Sequence, residues 1–278
     1  VYRRGYHARM IVPPAVFGHE LAGEIAAVGR NVQDFHAGMR VVAANSAPCG
    51  TCFYCRRDQE NLCENLIFIN GAYAEYICIP GQVVRQNLLP IPDQVSFRGA
   101  AMVEPLACVL HGLEETGVQR HDSMVVIGTG PIGLMFIRMA KLRGAHVIAV
   151  GRRSNRLETA RAMGADVVIE ASGNPSAIAE GFDLLRDGGT YVVAGHYTDA
   201  GEISLNPHLH VNRKHVVVKG QWGTEFHHLI GALRLLGRHC DRLPFAEVIG
   251  GRYALEDAGK ALEDVAALRV TKAIITPG

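Results

Sequence analysis

Residues 124–151 read MVVIGTGPIGLMFIRMAKLRGAHVIAVG, and this stretch decides the fold. The apolar run at 124–128 predicts a buried strand, residues 131–144 predict a helix, and residues 146–150 predict a second strand. A strand, a glycine-rich turn, a helix and another strand in this order indicate a parallel βαβ unit. The chain is therefore predicted to be an α/β protein with a parallel sheet.

The turn before the helix carries three glycines at the spacing G-x-G-x-x-G. Gly128 allows a tight turn, Gly130 lets a pyrophosphate approach the backbone, and Gly133 lets helix and strand pack closely. The amino end of the helix offers free N–H groups and a positive dipole end to phosphates. We therefore predict a dinucleotide site, and an ordinary glycine-rich turn is the alternative.

The end of the second strand bears on which dinucleotide binds. Gly151 stands where such sites usually carry an acidic residue for the ribose 2′-hydroxyl, and Arg152 and Arg153 follow it. A 2′-phosphate would meet no carboxylate there, and a guanidinium can pair with it through two hydrogen bonds. The pattern favours NADP over NAD. The alternative is that both arginines are solvated residues at a helix start.

Further along the chain, strands and helices keep alternating, with strands predicted at 166–171, 191–194 and 216–219. Together with 124–128 and 146–150 they make five strands. A doubly wound dinucleotide fold has six, so one βα unit, the third strand with its crossover helix, is predicted to be absent.

Before this region, residues 15–95 show short β-type runs, among them ELAGEIAAVG (20–29), MRVVAAN (39–45) and AYAEYICIP (72–80). The change of pattern predicts two domains. One comprises residues 1–110 and 241–278 and is rich in β-structure, and the other comprises residues 111–240 and binds the dinucleotide.

Four cysteines lie in the stretch CGTCFYCRRDQENLC, at residues 49–63. Cys49, Cys52, Cys55 and Cys63 can surround one tetrahedral ion, for which zinc is the usual occupant. A closed four-thiolate site leaves no position for substrate, so its role is structural. Two disulfides or a nucleic-acid zinc ribbon are the alternatives. The odd total of seven cysteines and the net charge of +1 argue against them.

The balanced charge and the lack of an apolar run near the roughly 20 residues of a membrane helix predict no nucleic-acid or membrane partner. The composition and the lack of a secretory leader are typical of a cytoplasmic enzyme with a small-molecule substrate. The remaining cysteines, Cys78, Cys108 and Cys240, are predicted to be core residues.

A second candidate metal site draws on His19 and Glu20 in PPAVFGHELAGEI and Glu104 in MVEPLACVLHG. A histidine beside a glutamate is more often a hydrogen-bonded residue than a ligand. A carboxylate at the start of an apolar helix needs a partner, however, and a metal is a natural one. In an open zinc site the ion polarises an alcohol oxygen, which favours hydride transfer to nicotinamide. His111 is interpreted as a packing or hydrogen-bonding residue.

The chain resembles the zinc-dependent medium-chain dehydrogenase/reductase family over nearly its whole length. The resemblance rests on the ordered segments FGHELAGEIAAVG, NLCEN after the cysteines, GAYAEY, VEPLACVLHG, VIGTGPIGL, EASGNP and LLRDGGTYVVAG. It implies a GroES-like catalytic domain and a Rossmann coenzyme domain. VEPLA together with GHE is most similar to the sorbitol, polyol, threonine and glucose dehydrogenase branch, which oxidises alcohols and polyols with NAD or NADP.

The resemblance also implies roles for individual residues. His19 is a catalytic-zinc ligand, and Glu20 and Glu104 are ligands directly or through water. The four cysteines hold the structural zinc. Coenzyme contacts are implied at the glycine turn, including Pro131 and Ile132, and at Ser172 and Gly195. A homo-oligomer, either dimer or tetramer, is expected.

The chain departs from the family pattern in three places. The family's first zinc ligand, a cysteine whose motif also carries the proton-relay hydroxyl, falls upstream of Val1. Met39 replaces the aspartate of a Gly-Asp-Arg-Val turn, and the Rossmann half is short. A coenzyme-binding relative without catalysis and a zinc-independent reductase of the same fold therefore stay open as alternatives.

Overall fold

The structure is a computed structural model that describes residues 11, 13–151, 164–239, 243 and 245–278. The chain divides into two compact units. The first comprises residues 1–107 and 224–278, and the second comprises residues 108–223. Arg152, Arg153 and the helix predicted from the run SNRLETARAMG fall on 152–164, nearly all of it outside the described residues.

The secondary structure elements of the described residues run in the following order. The strands are β1 (Leu21–Glu24), β2 (Arg40–Ala43), β3 (Ser46–Ala47), β4 (Ile67–Phe68), β5 (Leu88–Pro90), β6 (Ser123–Ile127), β7 (His146–Val150), β8 (Ala165–Glu170), β9 (Leu185–Val193), β10 (Val217–Gly220), β11 (Gly251–Tyr253) and β12 (Ala273–Ile275). The α-helices are α1 (Gly81–Asn87), α2 (Phe97–Ala100), α3 (Val103–Thr116), α4 (Pro131–Leu142), α5 (Pro175–Leu184), α6 (Phe226–His239) and α7 (Ala258–Ala266).

The first unit contains an antiparallel sheet of order β1-β2-β5 and two smaller strand pairs, β3 with β4 and β11 with β12. Val41, Ala43, Val83 and Leu88 are buried in its core, between the sheet and α1. Two short 3₁₀ turns at Cys55–Arg57 and Glu60–Leu62 shape the cysteine loop. The β-rich character expected for this part of the chain is confirmed.

The second unit contains a five-stranded parallel sheet of order β10-β9-β8-β6-β7. In the six-strand order of a doubly wound fold this is 6-5-4-1-2, so β7 lies at the edge and β8 pairs directly with β6. Among the described residues the third strand is therefore absent, as predicted. The parallel sheet confirms the predicted α/β fold class.

One predicted strand is not formed, and the start of another differs from its prediction. AYAEYICIP was predicted to contain a strand, and this was wrong for residues 72–80. The Ala72 and Tyr73 backbone N–H groups instead donate to the carbonyls of Gly18 and Phe17. Strand β9 begins at Leu185, well before the predicted residue 191, because Ala165 of β8 pairs with Leu185 across an irregularity in the ladder.

The sheet of the second unit has a dry apolar core. Val125, Val168, Leu184 and Tyr191 are each at most 1% exposed. Apolar strands buried on both faces are typical of parallel sheets covered by helices. None of the described helices is both long enough and apolar enough to span a bilayer.

Asp166 ties the amino ends of β6 and β8 together. Its carboxylate accepts hydrogen bonds of 2.7 Å from both Ser123 N and Ser123 Oγ and one of 2.6 Å from Arg186 Nε. Burial by itself would raise the pKa of Asp166, but the hydrogen bonds from Ser123 and the Arg186 charge outweigh it and lower that pKa to about 2. The ion pair and the Ser123 hydrogen bonds thus fix the start of β8.

Asp166→Asn is expected to lower the free energy of unfolding by about 2 kcal/mol at neutral pH. Because the folded-state pKa is depressed, this contribution is present above the unfolded pKa near 4 and is lost as the pH falls toward 2. Denaturant titrations give the free energy of unfolding of wild type and variant at neutral pH, where the Asp166 contribution is full, and at about pH 2, where it is largely lost. Asp187→Asn, exposed on β9, is the control. A difference between Asp166→Asn and wild type that persists in full at low pH would contradict the assignment.

Candidate metal and coenzyme sites

The four cysteine sulfurs of residues 49–63 converge at one point of the first unit, all within 4.8 Å of one another. Cys52 Sγ lies 3.5 Å and Cys49 Sγ lies 4.0 Å from Cys55 Sγ. A disulfide would need about 2.05 Å, whereas sulfurs about 2.3 Å from one tetrahedral ion lie roughly 3.8 Å apart. The cysteines are free thiols, and their geometry fits a four-thiolate zinc site.

The pKa values of the thiols in this cluster also favour a metal site. The backbone N–H and hydroxyl of Thr51 both donate to Cys49 Sγ, and these bonds lower the pKa of Cys49 to about 5. Burial against the other sulfurs raises the pKa of Cys55 to about 12. A divalent cation would relieve that cost, because thiolates bind metals in the deprotonated form.

Outside the cluster, the predicted burial of Cys78 was wrong, since Cys78 is exposed, and Cys108 is only partly buried. Cys240 lies outside the described residues.

The second candidate metal site is assembled by two local structures of the first unit. Gly18 adopts φ +93° immediately before His19, and its carbonyl accepts hydrogen bonds from Gly71 and Ala72. A Cβ at Gly18 would lie 2.6 Å from Tyr73 Cδ1, so only glycine fits this turn. The turn sets His19 and Glu20 directly ahead of β1.

Glu104 lies in the first turn of α3, where the helix dipole favours a negative charge. The following proline is tolerated because the first turn makes no i−4 hydrogen bond. Glu104 is 7% exposed and is flanked by the fully buried Met102, Val103 and Leu106. A carboxylate so placed needs polar or ionic partners.

His19, Glu20 and Glu104 each place one ligand atom within 4.8 Å of the other two. One nitrogen and two carboxylate oxygens form a donor set that zinc accepts, with room for a further ligand. The predicted residues are thus brought together, and they fit the ion.

Glu20 has a second partner that was not predicted from the sequence. Lys272 Nζ forms an ion pair with Glu20 Oε2, and both side chains are less than a third exposed. Lys272 is held just before β12, where its carbonyl accepts hydrogen bonds from Gly250 and Gly251. Tyr73 also lies near this charge, and burial, followed by the Glu20 carboxylate, raises the pKa of Tyr73. Glu20 is therefore shared between the candidate metal position and a lysine.

The three glycines of the turn in the second unit differ in the space around them. Gly128 has φ +106°, and a Cβ there would lie 2.9 Å from the backbone of Ala171 and Ser172. A Cβ at Gly133 would overlap the Gly128 carbonyl, whereas a Cβ at Gly130 would meet nothing within 4 Å. Gly128 and Gly133 are required by packing, and Gly130 leaves open space for a ligand.

Helix α4 begins immediately after this turn. Pro131 occupies its first position, and no side chain caps its amino end. Gly128 N donates to Val150 O, and Ala171 N donates to Ile127 O, so the carboxyl ends of β6, β7 and β8 are tied together. The N–H groups of Ile132 and Gly133 lie in the first turn of the helix, which suits an anionic pyrophosphate.

Ser172 and Gly195 meet around a buried carboxylate at the same edge of the sheet. Ser172 N and Oγ both donate to Glu170 Oε1 at 2.5 Å, and Gly173 N donates to it at 2.9 Å. A Cβ at Gly195 would lie 2.6 Å from Glu170 Oε2. The two predicted coenzyme residues are therefore positioned by Glu170, which is fully buried.

The region expected to select the coenzyme is only partly described. Arg152 and Arg153 lie outside the described residues. At Gly151, which ends the preceding strand, a Cβ would lie 3.0 Å from Thr129 Oγ1. A carboxylate side chain at residue 151 would need Thr129 to shift. His111, further back in this unit, is buried, and its Nδ1 lies 2.9 Å from the carbonyl of Gly223, which is remote from it in sequence.

Lys272 and Glu170 were both missed by the sequence predictions, for different reasons. Nothing in the run VTKAIIT distinguishes Lys272 from a solvated lysine. Glu170 did leave a signal, because an acidic residue at the end of the apolar run VVIE must find hydrogen-bond partners when the strand is buried.

Two family models match parts of this chain. Residues 1–93 match the alcohol dehydrogenase GroES-like domain, and residues 131–171 match the zinc-binding dehydrogenase family. The two matches include His19, all four cysteines of the cluster and the second half of the glycine turn.

Individual proteins are similar along most of the chain. A sorbitol dehydrogenase from Halalkalibacterium halodurans is 30% identical over 299 residues, covering 96% of this chain and 84% of that protein. A D-arabitol-phosphate dehydrogenase from Enterococcus avium is 34% identical over 210 residues, covering 72% of this chain and 57% of that protein. A zinc-binding dehydrogenase structure from Sinorhizobium meliloti, bound to NADP, is 27% identical with a TM-score of 0.84 and covers 96% of this chain and 85% of that one.

Proposed function

Because this chain belongs to the zinc-dependent alcohol and polyol dehydrogenase family, we propose that it transfers a hydride between a polyol and NAD(P). The observation that carries the proposal is the convergence of His19, Glu20 and Glu104. Neither a metal-free reductase nor a binding protein without catalysis needs these three donors beside one another. In the oxidative direction the substrate loses a hydride to nicotinamide and a proton to solvent, and a carbonyl product forms.

His19 and Glu104 would hold the catalytic zinc, and Glu20 would join them directly or through water. When bound, zinc polarises the substrate oxygen. Burial of Glu104 excludes water from one side of the site and keeps the carboxylate in a fixed orientation. Lys272 offers Glu20 an alternative partner, so the charge of Glu20 is balanced whether or not it binds the ion.

The residues that would hold the coenzyme lie at the carboxyl edge of the sheet in the second unit. Gly130 and the first turn of α4, with Pro131, Ile132 and Gly133, would receive its pyrophosphate. Gly128 shapes the turn, and the loops that contain Ser172 and Gly195 border the site on the β8–β9 side. The geometry of Gly128, Gly130 and Gly133 supports this placement.

NADP is the preferred coenzyme, because residue 151 carries no carboxylate and Arg152 and Arg153 follow it. Residues 1–110 and 241–278 are proposed as the catalytic domain and residues 111–240 as the coenzyme domain; the compact units place the second boundary earlier, at residue 224. The protein acts as a homo-oligomer in the cytoplasm, where the free thiols of the cysteine cluster stay reduced. Light scattering tests the oligomeric state.

Hydride transfer is tested by following the absorbance of reduced coenzyme with sugars, polyols and secondary alcohols as substrates. Polyols are expected to reduce NADP faster than NAD, and the relatives named for sorbitol and arabitol phosphate indicate where the screen begins. A faster reaction with NAD would overturn the coenzyme assignment alone. A protein that binds zinc and coenzyme but reduces neither coenzyme with any of these substrates would overturn the proposed function.

A further inference from the structure

A buried acid and a histidine face each other at the carboxyl edge of the second unit's sheet. Glu170 ends β8 with its side chain fully buried, and His196 follows β9 with its side chain 20% exposed. His196 Nε2 lies 3.3 Å from Glu170 Oε2, and neither atom has a well-aligned hydrogen-bond partner elsewhere. The other oxygen, Oε1, is saturated by three hydrogen bonds from residues 172 and 173.

His196 also borders an open cavity of about 360 Å³. Tyr197 and Trp222 stack on each other at its wall, with ring centroids 5.1 Å apart, and Tyr197 Oη donates to Gln221. His196 thus both lines this cavity and contacts the Glu170 carboxylate.

The position of this cavity relative to the glycine turn assigns it to one half of a dinucleotide. In a doubly wound sheet the pyrophosphate crosses the sheet where the strand order reverses, here between β6 and β8. The adenosine half of the dinucleotide binds beyond the end of β7, where an acidic residue or an arginine would contact its ribose. The nicotinamide side therefore lies over β8 and β9, where Glu170 and His196 meet.

Building on the function proposed above, we propose that the Glu170–His196 pair is a proton-dependent element that sets the relative affinity for oxidised and reduced coenzyme. The oxidised nicotinamide ring is cationic and the reduced ring is neutral. With His196 neutral, the pair carries one negative charge and favours the oxidised ring. With His196 protonated the pair is neutral and the preference falls. By reciprocity, binding of oxidised coenzyme expels a proton from His196.

The remaining charged groups around the pair do not duplicate this effect. Asp199 lines the same cavity but does not touch Glu170 in the described contacts, and Lys219 on β10 is held by Glu115 at 3.1 Å. Tyr191 on β9 stays a neutral phenol, because burial, the Glu170 charge and the Glu180 charge on α5 all raise its pKa. Among the common side-chain types, histidine is the one whose ordinary pKa places its charge change between about pH 5 and 8.

The test measures dissociation constants of NADP and NADPH, and of NAD and NADH, by quenching of intrinsic fluorescence between about pH 5.5 and 8.5. For wild type, the affinity for the oxidised form relative to the reduced form is expected to rise about three- to tenfold with pH. In His196→Gln the amide still contacts Glu170 but takes up no proton, so the ratio is expected to stay constant at its high-pH value. His196 acts as a positioning residue here, and a purely structural role would not produce this pH profile.

His146→Gln is the matched control, because His146 begins β7 at the opposite edge of the same sheet and is exposed. It is expected to keep the wild-type pH profile. A His196→Gln profile that still follows wild type would overturn this inference, since the titrating group would then lie elsewhere. Glu170→Gln is expected to lower oxidised-coenzyme affinity at high pH, and an unchanged affinity in a folded variant would also overturn it. Failure of wild type to bind any coenzyme would instead overturn the proposed function.

Discussion

His19→Ala is expected to lower polyol turnover by about a thousandfold or more. The imidazole supplies the nitrogen donor beside Glu20 and Glu104, and Lewis-acid stabilisation in such sites is worth several kcal/mol. At about 1.4 kcal/mol for each factor of ten, that loss corresponds to three orders of magnitude. Steady-state kinetics with the best polyol from the screen give the turnover number.

Two further measurements separate loss of the ion from loss of the fold. The zinc content is expected to fall by one equivalent per chain, while the dissociation constant of the coenzyme stays unchanged, because the glycine turn belongs to the other unit. His36→Ala, which removes an exposed histidine of the first unit, is the control and is expected to keep both zinc and turnover. Full turnover in His19→Ala would contradict a role for His19 in the metal site.

The local parts of both sites could be predicted from the sequence because they depend on short-range backbone geometry. Gly128 and Gly133 are fixed by contacts within a few residues or with the adjacent strand, and a glycine spacing records those contacts directly. The cysteine cluster lies within one loop, so its spacing alone limits the geometry. The absence of a third strand from the described part of the sheet was also predictable, because counting strands needs only the alternation of apolar runs.

Other features depend on contacts that no local pattern encodes. Lys272 reaches Glu20 only because β11 and β12 pair and bring the end of the chain back to the first unit. Tyr73 was predicted to lie in a strand, but its N–H bonds to the Phe17 carbonyl and its ring packs on Gly18. An alternating apolar run predicts an extended backbone equally well whether its hydrogen bonds go to a strand or to a turn.

The Glu170–His196 contact is intermediate between these cases. A carboxylate at the end of a buried strand predicts that some partner exists, but the partner lies just after the next strand of the sheet, beyond a helix. The register between β8 and β9, which contains an irregularity near Ala165, decides which residue that is. Sequence alone therefore predicts the need for a partner and leaves its identity open.

Cys52→Ser is expected to release the structural zinc and to destabilise the loop of residues 49–63. Binding free energies of structural zinc sites are on the order of 10 kcal/mol or more, and that energy contributes to folding. The two 3₁₀ turns of the loop bury no residue, so apolar burial within these turns contributes little to holding it. The zinc content is expected to fall by one equivalent, and limited proteolysis is expected to cut within the loop, while coenzyme binding to the second unit persists.

Cys78→Ser is the matched control for this substitution, because Cys78 is an exposed cysteine of the same unit outside the cluster. It is expected to keep all zinc and the wild-type resistance to proteolysis. Cys52→Ser and His19→Ala are each expected to lose one equivalent of zinc per chain, and the double variant is expected to lose two, because the two substitutions affect different sites. If Cys52→Ser kept the full zinc content, or if thiol titration of the wild type found Cys49, Cys52, Cys55 and Cys63 joined as disulfides, the four-thiolate site would be disproved.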